Sequence, residues 1–166
     1  MDFLFKNRMT RTKDVFKEAY KYWFFQRKLM VMLNAFMIIY FLYGIYLAVE
    51  YKDYILLIMV FFIAFQIFRY FIFVNIAVKR DKEISDKEVE CEVVVTNDFV
   101  QSTNSMGSFV RYEFCKIKKA VQTKNLIILF TKTNVMVIFR KDSFEIGTKE
   151  ELVSFLKTKG IVVKGK

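Results

Sequence analysis

The chain has 166 residues and a formal net charge of +10, with two cysteines and neither histidine nor proline. The absence of histidine excludes His-based catalytic triads, His general bases and most zinc sites. Cys91 and Cys115 are expected to stay reduced in the cytosol. We therefore predict a protein without enzymatic activity, metal or cofactor.

Residues 1–28 form an N-terminal segment in which alternation gives way to a helical pattern. Phe3 and Phe5 alternate with their neighbours and indicate a short strand. From Val15 onward, one face of a predicted helix carries aromatic and small residues, and the other carries charges. The first face comprises Phe16, Ala19, Tyr20, Trp23 and Phe24. This helix either continues into the next apolar helix or lies along lipid head groups.

Two long apolar runs follow, at residues 29–49 and 54–78. The first run has no charged residue, and the second has Arg69 alone. A membrane-spanning helix needs about 20 mostly apolar residues to cross about 30 Å of hydrocarbon. The pattern predicts a transmembrane helical hairpin over residues 29–78, which fits better than a buried core or a cleaved signal peptide.

Basic residues flank both outer ends of this predicted hairpin. Arg27 and Lys28 precede it, and Lys79 and Arg80 follow it, whereas Lys52 is the only basic residue of the connecting loop. By the positive-inside rule, this asymmetry predicts an integral protein of the inner membrane with both termini cytoplasmic. The four flanking cations are candidate contacts to anionic lipid head groups. The basic charge therefore requires no nucleic-acid partner.

Three polar residues interrupt the apolar runs, two of them at a similar predicted depth and Gln66 one turn further out. They are Asn34 in the first run and Gln66 and Arg69 in the second. One interpretation is that Arg69 extends to the inner surface and marks the edge of the membrane. The other is that the three side chains form a polar cluster that recognises lipid or a partner helix.

A charged connector at residues 79–88 leads into a region with the periodicity of strands. Alternation and β-branched residues predict strands throughout the region up to the last helix. The predicted strands cover residues 89–96, 99–102, 109–114, 115–122, 126–131 and 135–139. The last two carry the strongest signals.

The last predicted element is a helix over residues 149–159. Thr148 and Glu151 have the spacing of a capping box, and Gly160 stands where glycine ends a helix. Leu152, Phe155 and Leu156 repeat at helical spacing and should face the sheet. Strands followed by one helix predict an antiparallel α+β domain over residues 89–166, with one curved sheet that the helix covers.

One cluster of basic residues in the predicted strands is a candidate binding surface. It comprises Lys116, Lys118, Lys119 and Lys124. These residues either form a solvated strand face that prevents aggregation or present a cationic surface to a bilayer or an acidic partner. The alternating Glu88, Glu90 and Glu92 are more typical of a solvated strand face than of a metal site.

The order of elements resembles the YcxB-like family of small bacterial membrane proteins. The resemblance rests on the aromatic and basic first helix, the hairpin, the strands and the terminal helix, and most of all on Val137–Phe144 with the helix after it. Phe139 stands where the family usually has proline. The resemblance implies a cytoplasmic domain related to pleckstrin-homology folds and no established enzymatic activity.

These features together predict a non-enzymatic, membrane-anchored regulatory module. Its small cytoplasmic domain would bind a protein or a lipid surface. The alternative is an accessory subunit whose hairpin docks in a larger membrane complex such as a transporter. The expected partners are a bilayer with anionic head groups, a membrane or cytoplasmic protein, or a second copy of the chain.

Overall fold

The computed structural model describes residues 3–26, 28–51, 55–84 and 89–165. The chain divides into a first unit, Met1–Ala19 with Arg80–Lys166, and a second unit, Tyr20–Lys79. The helices are α1 (Lys13–Lys21), α2 (Lys28–Tyr51), α3 (Ile55–Ile84) and α4 (Lys149–Thr158). The fold class is α+β, with two sheets in the first unit.

The first sheet has the strand order β4-β3-β2-β1-β8, and the second has the order β7-β6-β5-β9. Strand pairs in the first sheet are antiparallel, whereas β5 and β9 are parallel in the second. The strands are β1 (Phe5–Thr10), β2 (Glu90–Val95), β3 (Phe99–Asn104), β4 (Phe109–Glu113), β5 (Ile117–Gln122), β6 (Leu126–Thr131), β7 (Met136–Arg140), β8 (Phe144–Ile146) and β9 (Val163–Lys164).

The prediction of a transmembrane hairpin over residues 29–78 is wrong. Crossing a bilayer requires about 20 consecutive, largely apolar residues in one helix. Within the described residues, no helix meets that requirement for length and apolar character. The assignments to an integral inner-membrane protein with cytoplasmic termini depended on the hairpin and are wrong with it. Lys52 and Asp53 of the predicted loop, and the end of the 79–88 connector, lie outside the described residues.

The prediction of a pleckstrin-homology-like domain with one curved sheet is also wrong. The strands form two sheets, and in the first of them β1, from the N-terminal segment, pairs with β2 along its whole length and with β8 on its other side. The chain leaves the first sheet after β4 through a single 3-10 turn at Phe114–Lys116. The following strand, β5, then begins the second sheet.

Side chains from both sheets and from α4 form the core of the first unit. Leu152 and Leu156 of α4 are completely buried, in one cluster with Leu129 and Phe139. The predicted capping box is confirmed: the Glu151 amide donates to Thr148 Oγ1 at 3.2 Å, and the Thr148 amide donates to Glu151 Oε2 at 2.9 Å. Because Leu152 and Leu156 are buried in this cluster, the predicted orientation of the apolar face of α4 is correct.

A buried amide side chain connects the two sheets. Asn7 of β1 has no exposed surface, and its Nδ2 donates to the Arg140 carbonyl at 2.7 Å. The Arg140 amide donates in return to Asn7 Oδ1 at 3.1 Å. The Asn7 side chain thus pairs with the β7 backbone as a neighbouring strand would.

The second unit contains an aromatic cluster around a π-helical turn at Tyr22–Gln26. The ring of Phe24 is buried and lies 5.6 Å from the ring of Phe73 and 6.2 Å from that of Tyr70. Contacts at these separations are favourable for aromatic pairs. They hold the turn against α3 within this unit.

Candidate functional site

The edge of the first sheet at β4 is the candidate binding site that the fold exposes most clearly. Four of the five β4 residues are exposed. The opposite edge strand, β8, has three residues, and β9 in the second sheet has two. The other edge strand of the second sheet is β7, and its three central residues are buried, in contrast to β4. An exposed edge strand carries unpaired backbone groups with which another strand can pair.

Hydrogen bonds at the ends of β3 fix which of its residues face each neighbour. The Ser105 amide donates to the Glu90 carbonyl at 2.9 Å, at the end of the pairing with β2. The Asn104 amide donates to the Ser108 carbonyl at 2.9 Å, at the end of the pairing with β4. Because hydrogen-bonded pairs alternate along antiparallel strands, the even-numbered residues of β3 bond to β4.

The same alternation identifies the free backbone groups of β4. The register pairs the even-numbered residues of β3 with Val110 and Tyr112, so these two residues bond to β3. The N–H and C=O groups of Phe109, Arg111 and Glu113 consequently face away from the sheet. Free backbone groups on alternate residues have the spacing that an added antiparallel strand needs for its hydrogen bonds.

Apolar side chains surround this edge on both faces. Phe109 is 63% exposed and Val110 is 50% exposed, and the two side chains point to opposite faces of the strand. Met106, in the loop before β4, is 55% exposed. An added strand would therefore find apolar surface above and below the free backbone groups.

Arg111 lies across the sheet and not over its edge. Its guanidinium carbon is 4.1 Å from the centre of the Phe99 ring, and Nε and one terminal nitrogen donate to Gln101 Oε1 at 3.1 and 2.8 Å. Both partners belong to β3. These contacts direct the Arg111 side chain towards the interior of the sheet, which leaves its backbone N–H accessible.

A second feature is a polar groove of about 860 Å³ in the first unit. It lies where the start of α1, the β5–β6 turn, the end of β7 and the start of α4 come together. Its basic lining residues are Lys13, Lys124, Arg140, Lys141 and Lys149. The groove therefore collects cations from four separate elements.

Glu18 of α1 is hydrogen-bonded to the β5–β6 turn, so it connects two of the elements that line this groove. Its carboxylate accepts hydrogen bonds from the Thr123 hydroxyl at 2.6 Å, from the Asn125 amide N–H at 2.7 Å and from Asn125 Nδ2 at 2.9 Å. Burial of the carboxylate acts to raise its pKa, but these hydrogen bonds and the charge of Lys141 outweigh burial. The pKa of Glu18 therefore lies below its ordinary value.

We expect Glu18→Gln to destabilise the first unit by about 1.5–3 kcal/mol at pH 7, the usual range for hydrogen bonds to a charged group. A carboxylate with a lowered pKa in the folded state stabilises the fold above its unfolded pKa. That contribution disappears as the pH falls through the folded pKa. The difference from wild type should thus shrink below about pH 4.

Hydrogen exchange of the β6 amides, corrected for the intrinsic rate at each pH, measures this difference in the full chain. Asp14→Asn is the matched control, because Asp14 lies on the same helix and is exposed beside Lys17. A Glu18→Gln effect that persists unchanged at low pH would contradict the role of the carboxylate charge.

The predicted basic surface divides between the two ends of β5. Lys116 and Lys118 are exposed near its start, and half-buried Lys119 has its ammonium 5.1 Å from the centre of the Phe130 ring. Lys124 follows the end of β5 and lines the groove. Because a strand rises about 3.3 Å per residue, the stretch of β5 from Lys118 to its end at Gln122 covers about 13 Å before the turn that carries Lys124.

The predicted polar cluster has one side chain within the described part of the chain. The Arg69 guanidinium carbon lies 5.8 Å from the ring centres of both Phe24 and Phe73. This distance is within the range of cation–π attraction. The side chains of Asn34 and Gln66 lie outside the described residues.

Three of the four predicted head-group contacts belong to helices: Lys28 begins α2, and Lys79 and Arg80 belong to α3. Arg27 and the side chain of Lys28 lie outside the described residues. Lys79 and Arg80 are exposed on α3. The prediction that these four residues contact lipid stays a prediction.

Sequence reasoning missed both the free edge and most of the groove. Lys124 was the one groove residue included among the candidate binding residues. Comparison with protein-family models, curated proteins and solved structures finds no match. The resemblance to the YcxB-like family stays a prediction, and the function is argued from geometry.

Proposed function

We propose that this chain is a non-enzymatic binding module that captures an extended segment of a partner protein. The segment adds to the first sheet as a sixth strand beside β4. The observation that carries this proposal is the alternation of outward-facing backbone groups at Phe109, Arg111 and Glu113 on an exposed edge. Strand addition of this kind takes affinity from main-chain hydrogen bonds and specificity from alternate side chains.

The side chains of β4 define the segment that this edge accepts. Phe109 and Val110 expose apolar surface on opposite faces at the start of the strand. The segment should therefore carry apolar or aromatic residues at neighbouring positions, since aromatic and β-branched cross-strand pairs stabilise sheets by about 0.2–1 kcal/mol each. A binding role, and not a catalytic one, agrees with the absence of histidine from the sequence.

A proline at position 111 tests the proposal. Proline has no N–H, so Arg111→Pro removes the central outward donor but no backbone hydrogen bond to β3. A photo-crosslinking amino acid at position 109 reports on the partner in cells. We expect crosslinks to the partner in the otherwise wild-type chain and loss of most of them with Arg111→Pro.

Arg111→Ala is the matched control, because it removes the same side chain and keeps the backbone N–H. It should retain the crosslinks that Arg111→Pro loses. A photo-reactive residue at exposed Lys157 of α4 controls for random collisions. Equal crosslinking by the proline and alanine variants would contradict strand addition, and a crosslink to a second copy of this chain would contradict the assignment of a different partner.

A further inference from the structure

From the charges that line the polar groove, we infer that it binds a small phosphate-bearing compound. This inference is independent of the β4 edge, which shares no residue with the groove. At about 860 Å³, the groove is within the range of about 300–1,000 Å³ typical of small-molecule sites. It therefore has room for a phosphate group together with the rest of a metabolite.

The acidic residues of the groove are already engaged by neighbouring groups. Glu18 accepts three hydrogen bonds from the β5–β6 turn. Asp142 lies 2.9 Å from Arg140 Nε and accepts a hydrogen bond from the Ser143 hydroxyl. Asp14, which also lines the groove, pairs with Lys17 at 3.1 Å. None of these carboxylates pairs with Lys13 or Lys124.

Two cations of the groove are left without a counter-charge. Lys13, at the start of α1, and Lys124, in the β5–β6 turn, form no ion pair within the described residues. Lys149 reaches the exposed Glu150 at 3.5 Å, a weak pair at the surface. Unmatched positive charge in a concave site concentrates the field and attracts anions.

The lining of the groove is held in place before any ligand arrives. Lys141 Nζ donates to the Thr123 carbonyl at 2.5 Å, and the Lys141 amide donates to the Asn125 carbonyl at 2.9 Å. These bonds join the end of β7 to the turn that carries Lys124. Because the walls are already ordered, binding loses little conformational entropy.

Phosphate fits this arrangement better than a carboxylate does. A phosphate group carries up to two negative charges and three strong acceptor oxygens, so it can bond to ammonium groups from several directions. The lysines of the groove come from different elements of the fold. Inorganic pyrophosphate is the simplest probe with this chemistry.

The test is calorimetric titration of the full chain with pyrophosphate at low and at physiological salt. The groove variant is Lys13→Ala with Lys124→Ala. The matched control is Lys116→Ala with Lys118→Ala, which removes the same charge from exposed lysines near the start of β5, outside the groove. We expect the groove variant to bind pyrophosphate at least about tenfold more weakly and the control to change by less than about twofold.

Two results would overturn the inference. One is an equal loss of affinity in both double variants, which would show attraction to net charge alone. The other is no pyrophosphate binding by the wild-type chain, with binding confined to phosphatidylcholine vesicles that contain phosphatidic acid; this would assign the cations to a lipid head group. Unchanged hydrogen exchange of the β6 amides confirms that both double variants are folded.

Discussion

Replacing Leu152 with alanine is expected to lower the free energy of unfolding of the first unit by about 2–5 kcal/mol. Leu152 has no exposed surface and lies in the cluster that contains side chains of both sheets. Alanine would leave a cavity where α4 meets the core. Since α4 has ten residues, a length that is marginal for an isolated helix, it depends on this packing.

Hydrogen exchange of the α4 and β6 amides in the full chain measures the effect. Lys157→Ala is the control, because Lys157 is exposed on the same helix and alanine preserves the helix propensity. The control should stay within about 0.5 kcal/mol of wild type. Equal protection of the Leu152→Ala variant and the control would show that α4 is not part of the core.

The sequence predicts α4 and the strands beside it because their signals are local. The capping box at Thr148 and the apolar spacing of Leu152 and Leu156 each lie within a few residues, and both are confirmed. Phe155, predicted to be buried beside them, is half-buried against the rings of Phe5 and Phe114, each 5.6 Å away. Its truncation should cost less than that of Leu152.

The pairing of β1 with β2 depends on residues that are far apart in sequence. The register places Phe5 opposite Val95 and Thr10 opposite Glu90. Alternation over six residues indicates a strand but does not identify its neighbour, so the prediction of one sheet from residues 89–139 left β1 out. The free edge at β4 has a second cause, because the chain leaves the first sheet after β4 and β5 begins the second sheet.

The groove and the two apolar runs show other limits of sequence reasoning. The groove takes its cations from four elements, and no local motif connects Lys13 with Lys124 or Lys149. The apolar runs at 29–49 and 54–78 do correspond to helices, since α2 and α3 cover most of both. Apolar composition predicted that these residues are helical, but it did not determine what surrounds the helices.

The second large effect is expected at Asn7, which connects the sheets. Asn7→Ala removes both hydrogen bonds to Arg140, which leaves the Arg140 N–H without a partner and its C=O with the Ser143 amide alone. An unsatisfied N–H costs about 1–3 kcal/mol and the second lost hydrogen bond about 0.5–1.5 kcal/mol, so the first unit should lose about 2–4 kcal/mol.

Arg8→Ala is the control for this prediction, because Arg8 is the next residue of β1 and pairs with Glu90 on the exposed face at 2.7 Å. An exposed pair contributes about 0–1 kcal/mol, even though its distance is as short as that of the Asn7 bond. Hydrogen exchange at β6 should therefore separate the two variants clearly. Asn7→Ala could instead increase exchange only at the Arg140 N–H and leave β6 as protected as in Arg8→Ala. The Asn7 side chain would then be a local contact, and the core side chains alone would hold the sheets together.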